Sequence, residues 1–386
     1  MKNRLCFSLL LMGFGLCNSQ SFNAYYSSVV ANTSENKILT DLTTFEKFGI
    51  KTVGSAALTH TENWITQRYE QLGYTDVILQ PFTYRKGTSN NIIITKIGTV
   101  YPNTFLIIDA HYDTINGPGT NDNGTGTVLL LELARLLKDI DTEYSIKFIH
   151  FSGEEDGLIG SKFYVKNTVI PDQMAIKLVF NIDEVGGVAG LTNDTIVCER
   201  DMGNPQSNNA ASDTATMSLA LLMGLYSNLK TEISKTYASD YMPFEANGHI
   251  ITGLFEKNES PTNHSIDDNL EHMDVAYFYE VVRGAVGAAL EFAQAYETLS
   301  LDEQNSLDRL INIYPDATQD FMHIVFKDPL QDQIDFKLMS SLGKEIYSNT
   351  INQQNFKFAT DFIEKGTYEA VFKIGNKRFV KTIVVD

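Results

Sequence analysis

A chain of 386 residues is too long for one ordinary hydrophobic core, so its length predicts one large domain with a smaller one. Its hydrophobic fraction of 43% and charged fraction of 20% are those of a globular protein. The formal net charge of -18 argues against nucleic acid as a partner, because phosphate binding needs a basic face. It argues equally against docking on an anionic membrane surface.

Residues 1–19 have the pattern of a secretory signal peptide. A positively charged start precedes an apolar stretch over 5–16 and a small-residue cleavage site, with cleavage expected between Ser19 and Gln20. The apolar stretch is shorter than the ~20 residues that a spanning helix needs, so no stable membrane span is expected. We therefore expect a soluble exported protein.

Helical and strand-like patterns alternate over the next part of the chain. Helices are predicted at 62–72, 127–138, 218–229 and 273–296. Strands are predicted at 76–82, 91–95, 105–110, 145–152, 177–182 and 250–255. This alternation favours a three-layer α/β/α domain with a mostly parallel central sheet, and we assign residues 20–300 to it.

The pattern changes after about residue 301, where short alternating runs replace the helices. Strands are predicted at 322–326, 334–339, 345–347, 367–374 and 379–385. Glycine-punctuated strands of this length favour a small antiparallel β-sandwich. We assign 301–386 to a linker, placed near 300–312, and a C-terminal domain.

Acid-rich segments lie at strand ends and in the loop before the second predicted helix. They are DAHYD (109–113), GTNDNG (119–124), GEEDG (153–157) and NIDE (181–184). In an open parallel sheet, the loops at the carboxyl ends of the strands form the ligand crevice. Imidazole and carboxylate donors form a mixed set that suits zinc, with cobalt or manganese as possible substitutes.

The spacing of these segments resembles a known family. The motifs are HYDT (111–114), PGxxDNxxG (118–126), GEExGxxGS (153–161), SDYxPF (239–244) and HSxDD (264–268). They resemble the co-catalytic zinc aminopeptidases of clan MH, a group that includes glutamate carboxypeptidases and glutaminyl cyclases. The resemblance covers about residues 37–297. It implies a zinc-peptidase fold and an aminopeptidase activity on peptides with a free N-terminus.

The resemblance also implies a ligand set for two zinc ions. Asp122 would bridge them, with His111 and Asp183 completing one site and Glu155 and His264 the other. A bridging carboxylate offsets two dications held ~3.5–4 Å apart and leaves positions for water.

Two further carboxylates receive roles in this scheme. Glu154 is the expected general base, which takes a proton from water and delivers it to the leaving amine. Asp113 is expected to fix the tautomer and orientation of His111.

The donor for the tetrahedral oxyanion stays open. Relatives often carry an aromatic residue before the last histidine ligand, whereas this chain has Asn263. The Asn263 amide, Tyr237 or Tyr241 could serve.

Two other functions compete with an aminopeptidase. A glutaminyl cyclase binds one zinc and has tryptophans around its pocket, whereas the single tryptophan here, Trp64, lies far upstream. A catalytically inactive binding protein on a peptidase fold is the other alternative. The three functions predict different zinc contents: about two ions per chain for an aminopeptidase, one for a glutaminyl cyclase and none for an inactive binding protein.

Residues 306–386 resemble a second family. The segments IYP (313–315), SLGKE (341–345), KGTY (365–368) and KTIVV (381–385) are similar to the C-terminal sorting domain of type IX secretion in Bacteroidetes. Asp316 departs from the asparagine that is usual after Tyr-Pro. The resemblance implies the type IX secretion machinery as a partner and a secreted or cell-surface location reached through the periplasm. An accessory carbohydrate-binding or spacer sandwich is the alternative.

Overall fold

The computed structural model describes residues 22–318, 320–340 and 344–385. The expected signal peptide, 1–19, lies outside the described residues. Among the helices of the described ranges, none combines the length and the apolar character that crossing a bilayer requires.

An eight-stranded mixed sheet forms the middle layer of the larger domain. In chain order its strands are β1 (Val77–Tyr84), β2 (Gly87–Lys96), β3 (Tyr101–His111), β5 (Tyr144–Phe151), β6 (Ala175–Ile182), β7 (Thr195–Arg200), β8 (Lys230–Lys235) and β9 (Ile251–Glu256). The short strands β4 (Asp141–Thr142) and β10 (Ala295–Tyr296) pair separately.

The strand order is β1-β2-β5-β3-β6-β9-β7-β8. The central strands β5, β3, β6 and β9 are parallel to one another. Antiparallel pairs flank them on both sides, so the parallel sheet that the sequence predicts is confirmed at the centre of a mixed sheet. The strands β7 and β8 were not predicted from the sequence.

Helices cover both faces of the sheet. They are α1 (Ala24–Val30), α2 (Glu35–Lys47), α3 (Ala56–Leu72), α4 (Gly124–Leu137), α5 (Ile159–Tyr164), α6 (Asn209–Tyr226), α7 (Met242–Glu245) and α8 (Val275–Phe292), with a π-helical turn at Val165–Val169 and a 3-10 turn at Leu270–His272.

Alternation along each strand divides the buried side chains between two cores. On β3, Leu106 and Ile108 belong to the larger core, under α1–α4, α6 and α8, whereas Ile107 belongs to a smaller core with Tyr164 and Phe244. A pattern with apolar residues on both faces is that of a sheet enclosed between two helix layers. The three-layer prediction is therefore confirmed.

The C-terminal part is an antiparallel β-sandwich, as the sequence predicts. Its strands are β11 (Ile311–Pro315), β12 (Phe321–Phe326), β13 (Ile334–Ser340), β14 (Glu345–Ile351), β15 (Asn355–Ala359), β16 (Gly366–Ile374) and β17 (Lys377–Val385). They form the sheets β11-β12-β15 and β14-β13-β16-β17. The sheets share one core, in which the rings of Phe326 and Phe372 are 6.1 Å apart.

The predicted linker near 300–312 is largely a helix, α9 (Leu301–Leu310). The side chain of Ser300 accepts the N–H of Glu303, and the Glu303 carboxylate accepts the N–H of Ser300. This capping box stabilises the start of the helix. Leu307 packs against the sandwich core, so α9 belongs structurally with the sandwich.

The sandwich packs against the larger domain through apolar and polar contacts. Val100 forms an apolar cluster with Met339 and Val371 of the sandwich. Nearby, the Lys337 ammonium lies 3.4 Å from the carboxylate of Glu143.

Candidate metal centre and active site

Four neighbouring strands end at one edge of the sheet, and each is followed by residues that the sequence singles out. His111 is the last residue of β3, Glu154 and Glu155 follow β5, and Asp183 follows β6. His264 lies in the segment after β9. Because these strands are adjacent and parallel, their carboxyl ends meet and form a crevice.

Asp122 comes from the loop between β3 and α4, which is held by hydrogen bonds. The Asp268 carboxylate accepts the N–H of Asp122 at 3.1 Å and the preceding N–H at 2.8 Å. Asn123 caps α4, since its Oδ1 accepts the N–H of Gly126 at 2.8 Å. A Cβ on Gly126 would lie 2.7 Å from that of Ala110, so glycine permits α4 to approach β3 this closely.

Two groups of potential metal donors share the Asp122 carboxylate. Nε2 of His111 lies 3.3 Å from Oδ1 of Asp122 and 3.3 Å from Oδ1 of Asp183. Nε2 of His264 lies 3.0 Å from Oδ2 of Asp122 and 3.2 Å from Oε2 of Glu155. Within each group, the donor atoms lie within 4.8 Å of one another. The structure thus brings together all five residues that the resemblance implied as ligands.

The surroundings of these groups orient them. The Asp113 backbone carbonyl is the hydrogen-bond partner of His111 Nδ1 at 3.1 Å, whereas its carboxylate lies 3.9 Å away. That carboxylate instead accepts the N–H of Glu154 at 3.2 Å. The Ser239 hydroxyl donates to Oδ2 of Asp183 at 2.7 Å. The role of Asp113 towards the His111 tautomer stays a prediction.

The electrostatics of the site fit bound cations. Burial, together with the charge of Asp122, raises the pKa of Glu155 to about 8, and burial raises the pKa of Glu154 well above its ordinary value. The hydrogen bond to Asp122 raises the pKa of His264 to about 9. One carboxylate oxygen of Glu155, Oε1, is buried and has no hydrogen-bond partner among the described residues. A dication between these carboxylates would offset their repulsion, so the donor set fits a metal.

A cavity of about 680 Å³ opens beside the donor groups. Besides those groups and Glu154, the residues that form its wall are Gly157, Leu158, Glu184, Val197, Glu199, Glu232, Ser234, Lys235, Tyr237, Ala238, Phe255, Glu256, Lys257 and Glu259. Trp64 is not among them, because it packs against Phe45 and Phe48.

The three candidate oxyanion donors have different surroundings. The Tyr241 hydroxyl donates to Glu199 at 2.9 Å and accepts the N–H of Tyr237 at 3.0 Å. The Asn263 side-chain amide donates to Glu184. The Tyr237 hydroxyl is buried and has no hydrogen-bond partner in the described part of the chain.

Three residues near the centre received no role from the sequence. They are Asp268, Ser239 and Glu184, and each lies inside or beside a motif quoted above. The acidic and hydroxyl side chains inside those motifs are the sequence feature that could have indicated a functional role for these three residues. Their partners come from distant parts of the chain, which no local pattern shows.

The fold matches solved structures. LapB from Legionella pneumophila matches over 71% of this chain and 76% of its own, with a TM-score of 0.63 and 21% identity. A Bacteroides thetaiotaomicron glutaminyl cyclase, solved with N-acetylhistamine, matches over 66% of this chain and 97% of its own, with a TM-score of 0.55 and 19% identity. At these identities the likeness shows the fold alone.

Sequence comparison adds the family. Aminopeptidase YwaD of Bacillus subtilis (strain 168) is 33% identical over 206 residues, which are 50% of this chain and 42% of YwaD. This chain therefore spans less than half the length of that relative. Residues 312–386 match the model of the secretion system C-terminal sorting domain. Residues 91–288, about half of the chain, match the model of peptidase family M28, and the chain belongs to that family of peptidases.

Proposed function

We propose that the chain is an exported zinc aminopeptidase that binds two zinc ions and removes N-terminal residues from peptides with a free N-terminus. The observation that carries this proposal is the shared Asp122 carboxylate, whose two oxygens face two different donor groups. Membership of the M28 family supports it, as does the aminopeptidase name of YwaD.

Zinc held by these groups would polarise the peptide carbonyl and lower the pKa of a water molecule. Glu154 belongs to neither donor group. Its carboxylate is thus available to take a proton from the attacking water and pass it to the leaving nitrogen. The hydrogen bond from the Glu154 N–H to Asp113 positions the turn that carries this carboxylate.

Tyr237 is the oxyanion donor that this proposal favours. Its hydroxyl is buried beside the cavity with no partner in the described ranges, whereas the polar groups of Tyr241 and Asn263 already have partners. A donor without a competing hydrogen-bond partner is free to interact with a developing oxyanion.

Export is the second half of the proposal. The sorting domain in residues 312–386 supports secretion or surface exposure, and it would present the chain to the type IX secretion machinery. The signal pattern at 1–19 would direct the chain into the periplasm first.

Zinc analysis with a panel of aminoacyl reporter substrates tests the proposal. We expect about two zinc ions per chain and hydrolysis of unblocked but not N-acetylated substrates. One zinc ion, with cyclisation of N-terminal glutamine, would instead favour a glutaminyl cyclase, whose fold this chain shares. A folded protein that binds no zinc and hydrolyses none of the panel would support the inactive binding protein.

A further inference from the structure

The cavity contains a carboxylate that the proposed hydrolysis does not use. Glu184 directly follows the metal donor Asp183, lines the same cavity and is partly exposed. Its φ is 48°, in the left-handed region that residues with side chains seldom adopt. Such conformations are held by the surrounding structure and cluster at ligand-binding positions.

The Glu184 side chain has unused capacity to accept hydrogen bonds. Its one side-chain partner in the described ranges is the Asn263 amide, which donates to Oε2. Neither lysine of the cavity forms an ion pair with Glu184 among the described residues, and Lys257 is already paired with Glu232 at 2.7 Å. A carboxylate with unused acceptor capacity can bind a cationic group of a ligand or a group that donates strong hydrogen bonds.

An apolar wall lies beside this carboxylate. Val197 of β7 pairs in register with Phe255 of β9, and the rings of Phe255 and Tyr237 are 4.9 Å apart. The N–H of Glu256, the residue after Phe255, donates to the backbone carbonyl of Glu184 at 2.9 Å. The wall and the carboxylate are therefore neighbours in one cavity.

Acidic side chains outnumber basic ones in the wall of this cavity. Outside the donor groups and Glu154, its wall includes five glutamates against two lysines. A long aliphatic stem can lie along an apolar wall while its cationic end meets a carboxylate. Lysine and arginine side chains have this shape and charge.

We infer that the cavity accepts the side chain of a basic N-terminal residue, and that Glu184 is the residue that selects it. The inference rests on the proposed function, since it names the substrate class of the same site. Three observations support it: one carboxylate with unused acceptor capacity, an aromatic wall beside it and an excess of glutamates over lysines in the cavity.

Arginine and citrulline reporter amides test the charge alone, because citrulline is the uncharged isostere of arginine. For the zinc-loaded full chain we expect kcat/KM to favour arginine about ten- to hundredfold, the range of a charge-assisted hydrogen bond. Glu184→Gln should remove this preference by lowering arginine turnover, with citrulline turnover kept within about threefold. The control is Asp194→Asn, which makes the same change in charge at an exposed residue paired with Lys230.

Retained citrulline turnover shows that the Glu184→Gln variant is folded. Equal kcat/KM for arginine and citrulline in the wild type would overturn the inference while leaving the aminopeptidase proposal standing. An equal loss on both substrates in the variant would also overturn it, because Glu184 would then recognise a group common to all substrates. A zinc-loaded protein that hydrolyses no aminoacyl amide would overturn the proposed function and this inference with it.

Discussion

Oδ2 of Asp268 accepts the backbone N–H of Asp122 at 3.1 Å, so a residue after β9 positions the carboxylate shared by both donor groups. Oδ1 of Asp268 accepts the preceding N–H at 2.8 Å. Asp268 is 2% exposed, so these hydrogen bonds are shielded from water. The loop that carries the shared donor is therefore held by the side chain of a residue 146 positions further along the chain.

We predict that Asp268→Ala weakens zinc binding about 10- to 100-fold, the usual effect of removing a residue that orients a ligand. The variant leaves two buried N–H groups without their partner, so its melting temperature should also fall. Competition with a chromophoric chelator measures the affinity. Asp267→Ala is the matched control, since Asp267 is adjacent and exposed. Unchanged zinc affinity in Asp268→Ala would exclude this orienting role.

Removing the shared ligand should have a larger effect than removing an unshared one. Asp122→Ala is expected to lose both zinc ions, because two like-charged cations would remain without the anion between them. His264→Ala should lose one ion and keep the other, since His264 belongs to one donor group. Metal analysis of the dialysed proteins gives both numbers. Two tightly held ions in Asp122→Ala would contradict the bridging role.

Glu154→Gln should separate catalysis from metal binding. Because Glu154 belongs to neither donor group, the variant is expected to keep both zinc ions while its turnover falls at least ~10²-fold. Glu155→Gln is the neighbouring comparison, and it should lose zinc from one site. Near-normal turnover by a fully zinc-loaded Glu154→Gln protein would show that another group is the base.

The central sheet was predictable because its strands are continuous apolar runs. Strands β3, β5 and β6 are buried on both faces near their carboxyl ends, and the acidic residues that follow them mark those ends. The order of the motifs then suggested the site. The strand prediction succeeded where residues near one another in sequence define both the strand and its carboxyl end.

Other elements were missed for physical reasons. Strand β8 is at the edge of the sheet, and its sequence KTEISK is mostly exposed and charged, so it lacks an apolar run. Helix α2 buries Ile38, Leu42 and Phe45, but its average hydrophobicity is low. The contacts of Asp268 and Asn263 join segments far apart in the chain, and spacing within one segment does not predict them.

The stability of the larger domain should depend on pH through His150. This residue is fully buried on β5, and its Nε2 lies 2.9 Å from the Tyr69 hydroxyl. Burial lowers its pKa to about 3, whereas an unfolded histidine has a pKa near 6.5. Below pH 6.5 the unfolded state therefore takes up a proton that the folded state refuses, and stability falls until the pH approaches 3.

Replacing His150 by glutamine should remove this part of the pH dependence. Between pH 7 and pH 5 the wild type is expected to lose about 2 kcal/mol more unfolding free energy than His150→Gln. Urea unfolding of zinc-loaded protein at several pH values measures the difference. His60→Gln, which replaces an exposed histidine, is the control. Parallel curves for the wild type and His150→Gln would show that His150 is not the source.

The sandwich should be separable from catalysis but needed for export. All proposed metal and catalytic residues lie between His111 and His264, and the sandwich has a core of its own. The cut belongs before Leu299, because Leu299 is part of the sandwich core and α9 packs against it. A protein of residues 20–298 should keep its kcat/KM on aminoacyl reporters, because none of the proposed metal and catalytic residues belongs to the sandwich. Its melting temperature should fall, because Val100 loses its cluster with Met339 and Val371.

In the native host, the same truncation with residues 1–19 retained should accumulate in the periplasm, because the part that matches the sorting domain is missing. Zymography of periplasmic and external fractions follows the enzyme. Normal appearance of the truncated protein outside the cell would contradict the sorting role and favour an accessory sandwich. A purified truncation that is soluble and zinc-loaded but inactive would show instead that the sandwich contributes to the active site. The double variant Met339→Ala, Val371→Ala in the full chain is the control: it loosens the interface while keeping the domain, so it should be exported and active.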